Sequence, residues 1–352
     1  MDGEPRMTTS VPKRRNGVLS ALYALGKGGT QLARTGEATA RPSGESGNVA
    51  GARKLFVYIA SPSFSGSTLL TFLLNAHPDV CTVGELKAGM PEGGNYLCSC
   101  GRRLVECDFW QRIVEEHARL GRRFDLNDFG MRFERQPSRW VGKVLGAGVR
   151  CSSLELLRDA AIATLPPLRR ARDRTLENIE TFALAATRIT GARVFLDGSK
   201  DPFRLKYLPR LKHFKLKVIR IIRDGRGVTN SMMRNEKQSL EASARSVRNM
   251  CIQLERMELK LPAEDCTKVY YERLCREPNA TLNALYRFLD LDPSRAATDY
   301  RGVEHHIMGN RMRLRNGSEI TLDEKWRREL SAQDLEVFER IAGDMNRAAG
   351  YE

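Results

Sequence analysis

Residues 55–74 read LFVYIASPSFSGSTLLTFLL, and no other stretch restricts the possible folds as tightly. Leu55 to Ile59 is short, β-branched or aromatic, and apolar at every position. A strand with one wet face would alternate, so this run is expected in the middle of a parallel sheet. Leu69, Leu70, Phe72, Leu73 and Leu74 then suit a helix that packs back onto that sheet. Between them lies Ser61-Pro62-Ser63-Phe64-Ser65-Gly66-Ser67-Thr68, small and rich in hydroxyls, with Gly66 able to take positive φ or admit a ligand to the backbone. Unpaired amides at a helix start, with hydroxyls around them, form an anion site. A plain Ser/Gly-rich turn is the competing reading of the loop by itself.

The nucleotide-triphosphate loop G-x-x-x-x-G-K-[ST] is the natural comparison, because its lysine reaches the terminal phosphates. Gly66 matches the second glycine, but Ser61 stands for the first and Ser67 for the lysine. A phosphate loop without its lysine is a poor NTPase.

Downstream, strands are expected at Arg193–Leu196, Lys217–Ile222 and Lys268–Tyr271. Helices are expected at Pro202–Leu211, Gly227–Met233, Leu240–Leu259 and Asn279–Leu289. That alternation predicts an α/β doubly wound parallel sheet with one crevice at the strand C-terminal ends. Asp79 to Val83 leads through Gly84-Glu85 into a long Gly-rich loop, Ala88 to Gly94. Residues from Asp108 to about Ile189 carry a helical pattern broken near Gly121, Pro137 and Pro166-Pro167. It reads as a helical insertion, about 108–190, within a single domain of residues 53–352. Residues 1–52 are basic and rich in Gly, Ser, Thr and Ala, as expected of a flexible tail. Val18 to Leu25 is its one amphipathic segment and offers a peripheral contact to a membrane or a partner; with Lys13-Arg14-Arg15 before it, it faintly resembles a cleaved signal, although its apolar part is short and interrupted.

The formal charge of +15 and a pI near 9.7 favour an anionic ligand or an acidic substrate such as an acidic glycan. No nucleic-acid-binding signature is present, so nucleic acid is not an expected partner. No apolar run reaches the roughly 18 residues of a membrane span, so no transmembrane segment and a cytoplasmic location are expected. Cys98-Ser99-Cys100-Gly101, followed by Cys107, leaves zinc ligation, a disulfide and unlinked thiols all open. A fourth ligand at regular spacing is missing, with Cys81, His117 and Cys151 as the possible partners.

Three strand ends carry polar clusters: Ser63 to Thr68, Asp197-Gly-Ser-Lys200-Asp201-Pro, and Arg223-Asp-Gly-Arg-Gly-Val-Thr-Asn-Ser231. In a parallel sheet they share one edge and can face one anion. Arg223 sits where a guanidinium can clamp a phosphate, with Ser231 about two turns into the next helix. The alternative for Arg223 is a surface ion pair with Asp224, worth little.

With these motifs the sequence resembles the PAPS-dependent sulfotransferase family, over most of residues 54–350. SPSFSGSTLL is similar to its 5′-phosphosulfate loop, and Arg223 with Ser231, in IIRDGRGVTNS, to its 3′-phosphate site. VYYERLCREPNATLNALYRFLDL, GNRMR and Trp326 resemble its C-terminal half. AHPDV before Gly84-Glu85, and Lys200-Asp201-Pro202-Phe203, resemble the tyrosylprotein sulfotransferase branch.

The resemblance implies a P-loop-like sulfotransferase fold and 3′-phosphoadenylyl sulfate (PAPS) as co-substrate. Ser63, Phe64, Ser65, Gly66, Ser67 and Thr68 would hold its 5′ end; Arg223, Ser231 and, less directly, Arg311 would hold the 3′-phosphate. Glu85 would be the general base and Lys200 would stabilise the transferring sulfonate, with no metal required. The acceptor would be a hydroxyl or amine of a glycan, lipid, small molecule or peptide. One departure stands out: Phe64 occupies the position where the family usually has Lys or Arg. Either Lys200 or another basic residue compensates, or catalysis is weak. The rival functions are a P-loop kinase or NTPase with Asp197 on magnesium, and a non-catalytic nucleotide-binding protein.

Overall fold

The computed structural model describes residues 53–87, 93–148, 152–309, 314 and 319–352. The expected tail, 1–52, and Arg311 lie outside the described residues.

Five strands, β1 (Lys54–Ala60), β2 (Val80–Thr82), β3 (Val194–Asp197), β4 (Phe214–Ile222) and β5 (Cys266–Tyr270), form one sheet in the order β2-β3-β1-β4-β5. Every pairing is parallel. The apolar run at 55–59 thus occupies the centre, paired on both edges and covered on both faces. Phe56, Tyr58 and Ala60 enter one core, with Phe195 and Phe214 beside them. Val57 and Ile59 enter the other, with Val194, Leu196, Ile219 and Ile221.

Helices cover both faces, as the alternating sequence pattern requires. Helix α1 (Ser67–Asn75) buries Leu69, Leu70, Phe72, Leu73 and Leu74 against the Val57 face. Among the described residues, four α-helices come between β2 and β3: α2 (Asp108–Arg119), α3 (Arg139–Gly146), α4 (Ser152–Thr164) and α5 (Pro166–Thr190). Trp110, Ile113, Ile179 and Phe182 carry α2 and α5 into the Phe56 core. Helix α5 has Pro at its start and ends on Gly191 with φ 76. Each is the residue suited to its end: proline needs no N–H there, and glycine tolerates the left-handed exit.

After β3 come α6 (Pro202–Tyr207), α7 (Gly225–Glu236), α8 (Leu240–Glu258), α9 (Tyr271–Arg276) and α10 (Pro278–Phe288). The chain closes with α11 (Trp326–Glu329) and α12 (Ala332–Ala348). Strand β4 begins at Phe214, three residues before the expected start, and pairs with β1 from there. Lys215 and Lys217 interrupt the apolar run but leave the ladder intact, one pairing with Asp265 at 2.8 Å and the other lying over the Phe288 ring. Helix α12, not expected from the sequence, opens with a reciprocal capping box between Ser331 and Asp334.

Candidate active site

β1 has β3 on one side and β4 on the other, so the chain leaves the β1 edge in opposite directions. A crevice opens beyond the strand ends at such a reversal. The loop after β1 and the segment after β4 meet there: Arg223 Nη1 donates to the Phe64 carbonyl at 2.6 Å. Its Nη2 donates to the Asp323 carbonyl at 2.7 Å and lies 3.4 Å from the Asp323 carboxylate. The guanidinium stacks on the Tyr271 ring, 4.4 Å from its centroid. Arg223 is therefore a buried strut between loop and C-terminal segment. The surface pair with Asp224 does not form; Asp224 caps α7 and pairs with Arg226 at 2.7 Å.

The loop is shaped for close approach. Gly66 precedes α1 with φ 88, and no side chain caps that helix. A Cβ on Gly66 would stand 2.4 Å from Tyr271 Cδ2, so only glycine fits beneath the ring. Ser61 and Ser65 are fully buried, and their hydroxyls, like that of Thr229 on α7, have no hydrogen-bond partner among the described residues. Buried orphan hydroxyls cost stability unless a partner arrives. Ser63, Phe64, Gly66 and Thr68 are half-buried at the opening, whereas Ser67 is buried. Ser231 is also buried, two turns along α7, where its carbonyl accepts from Asn235; among the described residues no hydrogen bond ties its hydroxyl to the loop.

Phe64 takes φ 62 and packs against the small cluster of Val228, Met232 and Val247. The position where the family usually has a cation thus carries an apolar anchor between the loop and α7. What it offers the crevice is its backbone.

The second half of the site grows from β2 and β3. Their parallel register brings the segments after Thr82 and Asp197 side by side, with the Gly198 amide donating to the Gly84 carbonyl at 2.8 Å. Lys200 Nζ donates to Glu85 Oε1 at 2.6 Å, and both side chains are mostly buried. Lys200 has φ 65, a conformation that its surroundings must impose. On one side the Ser199 amide and hydroxyl donate to Asp197 Oδ1 at 3.0 and 2.5 Å. On the other, Asp201 caps α6 through the Phe203 amide, and its carbonyl accepts from Tyr58 at 2.8 Å. Gly309 closes over the carboxylate: a Cβ there would lie 2.9 Å from Glu85 Oε1.

Asp197 itself is fully buried and taken by Ser199 and by Arg204 Nε at 2.7 Å. With both oxygens engaged and none exposed to the crevice, it is poorly placed to hold a magnesium ion, which weighs against the kinase reading. Sequence reasoning assigned no role to Tyr271 or Gly309, although both border the expected residues. Tyr271 stood in the quoted VYYERL run directly after β5, and that position at a strand end was its signal.

The model of the sulfotransferase family matches residues 57–295, so the chain belongs to that family. Among solved structures it is similar to the sulfotransferase domain of the Synechococcus PCC 7002 olefin synthase, at 18% identity and a TM-score of 0.42, covering 84% of this chain and 98% of that one. It is also similar to Mycobacterium avium sulfotransferase STF9, at 14% identity and a TM-score of 0.44, covering 86% and 78%. Mouse sulfotransferase SULT7A1 complexed with PAP is similar at 11% identity and a TM-score of 0.40, covering 85% and 89%. Among curated proteins no sequence matches.

Proposed function

We propose that this chain moves the sulfonate of PAPS onto a hydroxyl or amine, with Glu85 as base and Lys200 as the charge-stabilising cation. The observation that carries this reading is the 2.6 Å contact between Lys200 Nζ and Glu85 Oε1 beside a loop with buried, unpartnered hydroxyls. A carboxylate and an ammonium at one crevice supply the proton acceptor and the electrophilic donor that such a transfer needs.

In the reaction the acceptor oxygen attacks sulfur as the bond from sulfur to the 5′-phosphate oxygen breaks. The bonding pair stays on that phosphate oxygen, releasing adenosine 3′,5′-bisphosphate (PAP), and the acceptor proton goes to Glu85. Lys200 donates to the departing oxygen, where negative charge develops. Before substrate arrives it holds the Glu85 carboxylate in place. The amides and hydroxyls of residues 63–68 would hold the 5′-phosphosulfate. Arg223 spends two of its five donors on Phe64 and Asp323, leaving others for the 3′-phosphate. Ser231, on the helix that follows, would serve the same phosphate.

The apolar placement of Phe64 favours one rival, a protein that binds the nucleotide without transfer. Incubation with sulfur-35-labelled PAPS and a panel of glycan, lipid, phenol and peptide acceptors separates the two. Label transfer by the wild type that Glu85→Gln abolishes is expected. PAP binding with no transfer to any acceptor would make the protein a binder.

A further inference from the structure

Outside the crevice, three cysteines and one histidine converge. Cys98, Cys100, Cys107 and His306 bring their ligand atoms within 4.8 Å of one another. Cys100 Sγ is 3.6 Å from Cys107 Sγ, and His306 Nδ1 is 3.3 Å from Cys107 Sγ and 3.8 Å from Cys98 Sγ. Zinc bonds of about 2.3 Å to sulfur and about 2.0 Å to nitrogen imply tetrahedral edges of about 3.5–3.8 Å. The three measured edges fall in or beside that range. We propose that these four side chains form a closed, structural zinc site.

The surroundings suit a metal better than free thiols. Cys98 and Cys107 are almost fully buried, where a thiol gains little from its weak hydrogen bonds. Three sulfurs cannot all pair as disulfides, and pairing two would leave the histidine turned toward them without a purpose. His306 presents Nδ1 to the sulfurs and Nε2 to Glu304 Oε1 at 3.5 Å. A carboxylate beside the far nitrogen favours the tautomer that leaves the near one free to ligate. The Phe109 ring stacks on the imidazole at 4.6 Å and 7° and shields it. The turn holding the first two cysteines is preformed: the Cys98 amide donates to the Arg102 carbonyl at 2.8 Å, and the Gly101 amide to the Cys98 carbonyl at 3.0 Å.

Among the described residues, neither Cys81 nor His117, two of the fourth ligands weighed from the sequence, takes part. Cys81 sits on β2, and His117 Nδ1 is bonded to the Ile113 carbonyl at 2.8 Å. Cys151 lies outside the described residues. Zinc here would staple two distant segments at a point that matters for the crevice. Ser99, between two of the ligands, donates to the His305 carbonyl and accepts from the Ile307 amide, both at 2.7 Å. Three residues beyond His306 lies Gly309, the residue that closes over Glu85. The metal is therefore a positioning element for the 305–309 segment and takes no part in transfer.

The test is metal analysis of untagged full-length protein, produced in zinc-containing medium and desalted from a mild chelator. About one zinc per chain is expected for a closed site. Cobalt(II) exchanged into the wild type should show thiolate-to-metal charge-transfer absorption and tetrahedral ligand-field bands. Cys100→Ser should weaken both retention and absorption, and His306→Cys, which keeps four ligands, should preserve them. The cobalt spectrum of the wild type stands even if a variant fails to fold. Less than about a tenth of an equivalent of zinc, or a mapped disulfide among the three cysteines in the purified protein, would overturn the site. No transfer assay enters these readouts, so they stand or fall apart from the sulfotransferase reading.

Discussion

The two halves of the crevice are built in opposite ways. On the donor side, the 61–68 loop is a local product of one strand–turn–helix unit, tied to the segment after β4 by Arg223 at the Phe64 carbonyl and to α7 by the packing of the Phe64 ring. On the acceptor side, Glu85 and Lys200 are 115 residues apart and meet because β2 and β3 are adjacent in the sheet. Met308 adds a third segment there by pairing with Gly84 and donating to the Val83 carbonyl at 2.8 Å. On the proposed function, anion binding can be encoded locally, whereas proton transfer and charge neutralisation would depend on assembly of the whole sheet. Changes on the acceptor side should act on turnover, and changes on the donor side on nucleotide affinity.

The largest effect is expected at the base. Glu85→Gln keeps the shape and a hydrogen-bond acceptor for Lys200 but removes the proton acceptor, and should cut turnover by about 10²–10⁴-fold. PAP affinity, measured by calorimetry, should hardly move; a parallel loss of affinity would erase the contrast between the halves. Next, Lys200→Ala should lower turnover by about 10²–10³-fold, as removal of a transition-state donor does. An unchanged rate in a steady-state assay would strip Lys200 of its role.

Gly66→Ala tests the donor side. The methyl meets Tyr271 at 2.4 Å, and the residue must keep φ 88, so stability should fall by about 1–2 kcal/mol from backbone conformation alone. Displacing Tyr271 also disturbs the stacked Arg223, and PAP affinity should drop with it; thermal melts with and without PAP check both. The smallest effect is expected from Asp323→Asn. Freeing Arg223 from a half-exposed carboxylate should tighten PAP binding by about 2–5-fold, the scale of a partly exposed ion pair. Weaker binding would mean that Asp323 orients the guanidinium rather than competing with its ligand.

The same contrast explains what the sequence made legible. Strand β1, its loop and α1 lie within some two dozen residues, and apolar runs with a glycine-serine turn suffice to read them. Lys215 hid the first three residues of β4, because hydropathy does not register a ladder that continues beneath a charged stem. Glu85 and Lys200 could be singled out as a pair only through family resemblance, since nothing local says that β2 and β3 are neighbours. His306 could not be read at all: it is 199 residues from Cys107, and no ligand spacing connects them. Phe64 was legible as a departure, but only packing against Val228, Met232 and Val247 shows where its ring goes.

Calorimetric titration with PAP, against ATP with magnesium, on the wild type and Arg223→Ala is the measurement that most directly tests whether the crevice is a sulfotransferase donor site. Binding of PAP in preference to magnesium-ATP is expected, weakened about 10–100-fold in the variant by loss of a charged hydrogen-bond donor. Preference for magnesium-ATP, or PAP affinity that survives Arg223→Ala unchanged, would contradict it.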